Sequence, residues 1–126
     1  MKGTIKDIVA ANAALRVMTI TGGAPYRIVR DIQKLRKALD DEVKIAEEES
    51  QRMMQDLGGV PTQDGSIEFP SVENRIKFDK AWDDMQNTEV ELDVSKIDLS
   101  SYADNIIFQN LNVDVDALSA FVDFGG

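Results

Sequence analysis

Between Pro25 and Leu57, apolar side chains recur at Ile28, Ile32, Leu35, Leu39, Val43, Ala46, Met53 and Leu57. Steps of three and four residues trace one stripe along an α-helix. No Gly or Pro interrupts the run, and Leu, Lys, Arg, Glu, Gln, Ala and Met dominate it, all residues that lose little side-chain freedom in a helix. Pro25 suits the first helical position, and Gly58-Gly59 suits the end. At 1.5 Å rise per residue this helix is roughly 50 Å long, so other segments must pack along it. The step from Leu39 goes to Val43, where a heptad would continue to Glu42. Such a stutter locally unwinds a left-handed supercoil. The stripe is narrow, which leaves one face dry and most of the helix wet.

Shorter elements flank it. Thr4 caps a first helix, with Asp7 three residues on in the manner of a capping box. Ile5, Ile8, Leu15 and Met18 share its inner face, and Ala10, Ala11, Ala13 and Ala14 allow close approach of a second helix. Thr19-Ile20-Thr21 is β-prone and Gly22-Gly23 ends it. Asp64-Gly65 predicts a two-residue hairpin turn between arms Val60–Gln63 and Ser66–Phe69, with Pro61 on an edge. Ser71 caps a helix from Val72 to about Asn87, whose Val72, Ile76, Phe78, Ala81, Trp82 and Met85 read as a broad apolar face. A hairpin that short returns this helix antiparallel along Val43–Leu57. In Thr88–Val94, Val90, Leu92 and Val94 alternate with Glu89, Glu91 and Asp93, the period of a half-buried strand. Ile97 and Leu99 continue it. Its expected partner is the 60–69 hairpin, the 18–21 segment or a second protomer. Asp98 or Ser100 caps a short turn through Tyr102, the run NIIFQNL is ambiguous, and Asp114–Phe124 reads as a last short helix with Val115, Leu118, Phe121 and Val122 inward. The expected fold is one α+β domain over 1–126, mainly helical, in which shorter helices pack a long central one beside a β-hairpin and one further strand.

Charge changes this picture. Arg27, Arg30, Lys34, Arg36 and Lys37 occupy the first half of the long helix, and Asp40, Asp41, Glu42, Glu47, Glu48 and Glu49 the second. That order opposes the helix dipole, which favours acids at the N-terminus and bases at the C-terminus. Compensation is expected from Asp98, Asp104, Asp114 and Asp116 at the basic half, and from Arg75, Lys77 and Lys80 near Glu47–Glu49. The alternatives are an anion site or a head-to-tail contact with a second copy.

The chain of 126 residues carries a net charge of −9, which disfavours nonspecific binding to nucleic acid and to anionic membranes. It contains neither Cys nor His, which removes thiol nucleophiles, disulfides, histidine bases and Cys/His zinc sites. No apolar run approaches about 18 residues, and MKGTIKDIVAANAALRVM lacks the clean apolar core of a signal peptide. QDGSIEF resembles the middle of a calcium loop, but the register puts Val60 and Ser71 where the end carboxylates belong. NVDVD lacks the Gly and Glu that would complete a metal loop. No phosphate-binding Gly-rich motif, nucleophile elbow or zincin motif occurs. The sequence therefore predicts no catalytic residue, metal or cofactor. The one candidate site is Tyr26, Arg27 and Arg30 at the start of the long helix, where backbone N–H groups and guanidinium groups can hold phosphate or carboxylate.

YRIVRDIQKLRKAL followed by EEES, then DGSIEF leading into AWDDMQNTEVELDV, then KIDLSSY and a terminal ALSAF resemble a family of short uncharacterised proteins encoded by tailed phages and prophages of Gram-positive bacteria. The shared features are structural, not catalytic, and the GGAP turn and the NIIFQNL region depart from them. The resemblance implies a small accessory protein in the cytoplasm of an infected bacterium. It would act on a phage or host protein, or on itself as a homo-oligomer, as an assembly factor or host-factor binder. The alternative is sequestration of a host nucleotide signal or other small anion at Tyr26, Arg27 and Arg30. Trp82 and Leu35 both read as core anchors, each expected to lose about 2–5 kcal/mol on truncation to Ala.

Overall fold

The computed structural model describes residues 1–110 and 112–125, so Leu111, the last residue of NIIFQNL, lies outside the described residues. The long helix, α2, spans Tyr26–Asp56, 31 residues. Pro25 is its N-cap in extended backbone rather than its first helical residue. Leu57 closes it, where the Gly58 amide donates to the Gln55 carbonyl at 3.1 Å and the Gly59 amide to Met54 at 2.8 Å. A Cβ on Gly59 would come 2.7 Å from Met54 Cγ and 2.8 Å from Phe69 Cε1, so only glycine lets the chain turn so tightly there.

Ahead of α2 lie β1 (Lys2–Thr4), α1 (Ile5–Arg16) and β2 (Met18–Ile20). Thr4 caps α1 by accepting from the Asp7 amide at 3.2 Å. Ile8, Ala11, Ala14 and Leu15 on α1 pack against Ile28, Ile32, Leu35 and Leu39 on α2, all buried. The alanines bring the two helices close, and leucine and isoleucine fill the seam. Two polar links flank it. Arg36 Nη2 donates to the Leu15 carbonyl at 3.3 Å, satisfying an end group of α1. Arg16 Nη2 pairs with Asp40 at 2.8 Å.

The C-terminal third closes the same core. It contains β6 (Ile97–Asp98), a 3₁₀ turn (Ser100–Asn105), β7 (Ile106–Phe108), α4 (Val115–Leu118) and β8 (Val122–Asp123). Leu99, Leu118, Phe121 and Val122 are fully buried against the α1–α2 seam. The expected helix over 114–124 is therefore shorter. It stops at Leu118, and Val122 enters a parallel pairing with Ile97. The Ile97 amide donates to the Phe121 carbonyl at 3.1 Å, and Leu99 to Asp123 at 2.8 Å. The ambiguous NIIFQNL run supplies β7, antiparallel to β2 with Thr19 opposite Ile107.

The strand read at Thr88–Val94 is real but shorter: β5 covers Glu89–Glu91. The alternation holds, with Leu92 buried and Val90 and Val94 half-buried. Neither the 60–69 hairpin nor the 18–21 segment is its partner. It pairs antiparallel with β1, Gly3 opposite Val90, because Met1 to Thr4 is extended rather than a bare helix lead. The ladder continues through mutual Met1–Leu92 bonds of 2.8 and 2.6 Å.

From Leu57 the chain forms β3 (Val60–Pro61), β4 (Ile67–Glu68) and α3 (Val72–Gln86). The hairpin is present, but its turn is a three-residue loop. The Thr62 amide bonds the Ser66 carbonyl at 2.8 Å and Gly65 bonds Thr62 at 3.2 Å. Gly65 has φ +86°, while no described non-glycine residue has positive φ. Asp64 therefore cannot sit in the expected two-residue turn, which needs positive φ at both positions. Ser71 caps α3 as expected, accepting from the Asn74 amide at 3.1 Å. Asn74 Nδ2 also donates to the Leu57 carbonyl at 3.0 Å, tying the start of α3 to the end of α2.

The largest departure is the α3 face. Phe78 alone is buried, while Val72, Ile76 and Trp82 are 77, 62 and 40% exposed. Phe78 stacks between Phe69 (centroids 5.1 Å) and Trp82 (6.2 Å) in a small apolar group apart from the main core. Trp82 is thus a lid on this group and not a core anchor. Leu35→Ala is expected to cost about 2–5 kcal/mol, because it opens a closed site. Trp82→Ala is expected to cost less, about 1–2 kcal/mol, since solvent fills the space left. Chemical denaturation of both variants checks the order; a tryptophan variant as unstable as the leucine one would contradict this packing.

Candidate functional site

Gly22 and Gly23, each at φ +79°, swing the chain from β2 to the start of α2. Thr21 is held by the Asn105 carbonyl through its amide at 2.8 Å and its hydroxyl at 3.1 Å. Pro25 has no side-chain acceptor to offer as a cap, and the first turn carries no acid. The start of α2 is therefore open and positive. Tyr26 stands 79% exposed there. Tyr26 and Arg30, one turn apart, line a shallow depression of about 350 Å³ with Val29, Gln33, Lys34 and Lys37. Arg27 does not line it. Two of the three expected anion-site residues line the depression, and Arg27 is exposed beside it, about 60° round the helix from Arg30.

Beside this depression runs a wider open groove of about 990 Å³. One wall is α2, with Asp31, Lys34, Lys37 and Asp41. The other is the segment Glu91–Ile97, with Glu91, Asp93 and Lys96 at the rim and Leu92, Val94 and Ile97 beneath. Three lysines face four carboxylates, a mixed field without a single preferred ligand sign. Among the described residues no cluster of three His, Cys, Asp or Glu groups is arranged to hold a metal.

The expected charge compensation does not form. Among the described residues, no ion pair joins Asp98, Asp104, Asp114 or Asp116 to the basic half of α2. Asp98 instead accepts from the Ser100 amide and hydroxyl at 2.9 and 2.6 Å, and Asp114 caps α4 through the Ala117 amide at 3.0 Å. Arg75 and Lys77 pair within α3, with Asp79 at 3.2 Å and Glu73 at 3.4 Å, one helical turn being a shorter reach than a neighbouring helix. Glu49 pairs with Arg52 on its own helix. The perturbed carboxylates are accordingly structural. The Ser100 hydroxyl holds Asp98 below the usual carboxylate range, the Thr62 hydroxyl does the same for Asp64, and the Arg16 guanidinium does so for Asp40.

Sequence reasoning missed the outward turn of Val72 and Ile76. At 3.6 residues per turn these two lie about 160° round α3 from the mean direction of Phe78, Ala81 and Met85. A helical wheel would have split the supposed broad face into two. The groove had no sequence signal, since its second wall is brought to α2 only by the β1–β5 and β6–β8 pairings. Comparison with family models, with curated proteins and with solved structures finds no match to this chain.

Asp40 gives a pH test of the α1–α2 seam. Its carboxyl is held below its ordinary value in the folded chain, so the stability it contributes is present above the unfolded value and is lost as pH falls through the folded one. Asp40→Asn is expected to lower stability at pH 7 and to flatten the decline in stability below about pH 4. Urea titrations at several pH values check this; an unchanged acid slope would show that the Arg16–Asp40 pair is idle.

Proposed function

We propose that this chain is a small phage accessory protein that acts by binding another protein, a phage assembly component or a host factor, in the cytoplasm of the bacterial host and without catalysis. The observation that carries the reading is the outer face of α3. Val72 and Ile76 are one turn apart and stand largely in solvent, and Val72 lines a shallow depression with Ile67, Glu68, Phe69, Ser71 and Arg75. Isolated exposed aliphatic residues are ordinary, whereas a contiguous apolar patch rimmed by charge marks an interaction surface. Arg75 lies 5.9 Å over the Phe69 ring, which places a planar cation at the edge of the patch, and Arg is among the residues enriched at binding hot spots. The resemblance to short phage proteins supports the cellular setting, and no described helix is long and apolar enough to cross a membrane.

A second reading is capture of a small anion, such as a host nucleotide signal, at Tyr26, Arg27 and Arg30. It is favoured by the uncapped start of α2 with an exposed aromatic ring and Arg30 on one surface.

The test is a photo-reactive phenylalanine analogue placed at Val72 in cells of the bacterial host. The expected result is one discrete cross-linked species that disappears when Ile76→Glu is added, while that variant keeps its melting temperature. No cross-link, or one indifferent to Ile76→Glu, would contradict the reading.

A further inference from the structure

We infer that the solvent face of α2 docks a second copy of this chain, antiparallel, basic half over acidic half. This face is separate from the outer face of α3. On the wheel, Tyr26, Arg30, Lys37, Asp41, Lys44 and Glu48 lie opposite the buried seam. All six side chains are exposed, and only beside Lys37 and Asp41 does the 91–97 segment wall the face.

Its charge order is the reason a like copy fits. The middle of the face is partly balanced within the chain, because Lys34 and Lys37 share the groove with Asp41 and the 91–97 segment. The two ends are not. Among the described residues, Arg27 and Arg30 at one end and Glu47 and Glu48 at the other take part in no ion pair. Arg27 and Arg30 also have the wrong sign for their position, bases at the positive pole of the helix. A second copy laid antiparallel corrects both ends at once. Its acids meet the bases, its bases meet the acids, and the two helix dipoles run in opposite directions. The contact is isologous, so it closes at two copies and does not propagate into a filament.

Apolar side chains sit where such a contact can use them. Tyr26 at the basic end and Ile45 in the acidic half are exposed, at the edge of the face and on its flank. A parallel copy would set like charges side by side along the whole helix.

The test uses the full chain in sedimentation experiments. At about 50 mM NaCl a dimer is expected, with self-association at least about tenfold weaker at about 500 mM, where the screening length falls severalfold. Arg27→Glu with Arg30→Glu, and separately Glu47→Lys with Glu48→Lys, are each expected to weaken it by about a hundredfold. All four side chains are exposed, so circular dichroism should be unchanged. Mixing the two reversed proteins should restore a dimer, since each then meets its opposite at both ends. A monomer at all concentrations and salts would overturn the inference. So would a dimer that survives either reversal, or reversed proteins that fail to pair with each other.

Discussion

Packing of α1 on the first half of α2 is the contact on which the remaining structure is laid. Ala11 and Ala14 remove the bulk that would hold two helices apart, and Leu15, Leu35 and Leu39 then interlock at almost zero exposure. Phe121 and Leu118 close the end of that seam only because β8 is drawn in beside β6. Each strand pairing is short, two or three residues in a two-stranded sheet, and too little to be stable alone. The strands are consequences of the helical core. They fix where the chain termini and the 91–97 segment lie, and so they build the groove wall facing Lys34 and Lys37.

Beyond Leu39 the same helix is dressed differently. Ala46 is buried, Val43 and Met53 only partly, and the covering helix α3 contributes Phe78 alone to full burial. The chain thus has a dense half and a lightly packed half sharing one spine. Apolar groups left over in the light half, Val72, Ile76 and Trp82, and the unpaired ends of the charge ladder on α2 fall on different faces. The first is the surface proposed above for a partner protein, and the second the one proposed for a second copy.

What was legible in the sequence was local. An unbroken run of helix formers with Gly58-Gly59 behind it placed α2 to within a residue or two, and Thr4 and Ser71 marked helix starts because a side-chain oxygen three residues before a free amide needs no tertiary help, whereas neither Asp98 nor Ser100 caps the 3₁₀ turn that follows them. What was not legible was non-local. Nothing in Lys2-Gly3-Thr4 announces a strand until Glu89–Glu91 lies beside it, and Val122 leaves a helical pattern because Ile97 offers a backbone ladder. Trp82 was misplaced because size and hydrophobicity argue for burial only where a second layer exists to bury against, and at α3 there is none. The charges were misassigned for a related reason: Arg75 and Lys77 take partners one turn away on their own helix in preference to acids across a gap. For the candidate anion site, helical spacing puts Tyr26 and Arg30 along one depression, with Arg27 about 60° round the helix from Arg30.

Native-state hydrogen exchange along α2 tests the division of the spine most directly. Amides from Ile28 to Leu39, with those of Ile8 to Leu15, should exchange only through global unfolding, while amides from Glu47 to Asp56 and throughout α3 exchange through a much smaller local opening. Uniform protection from one end of α2 to the other would contradict the account, because it would mean that the half covered by α3 is packed as firmly as the seam.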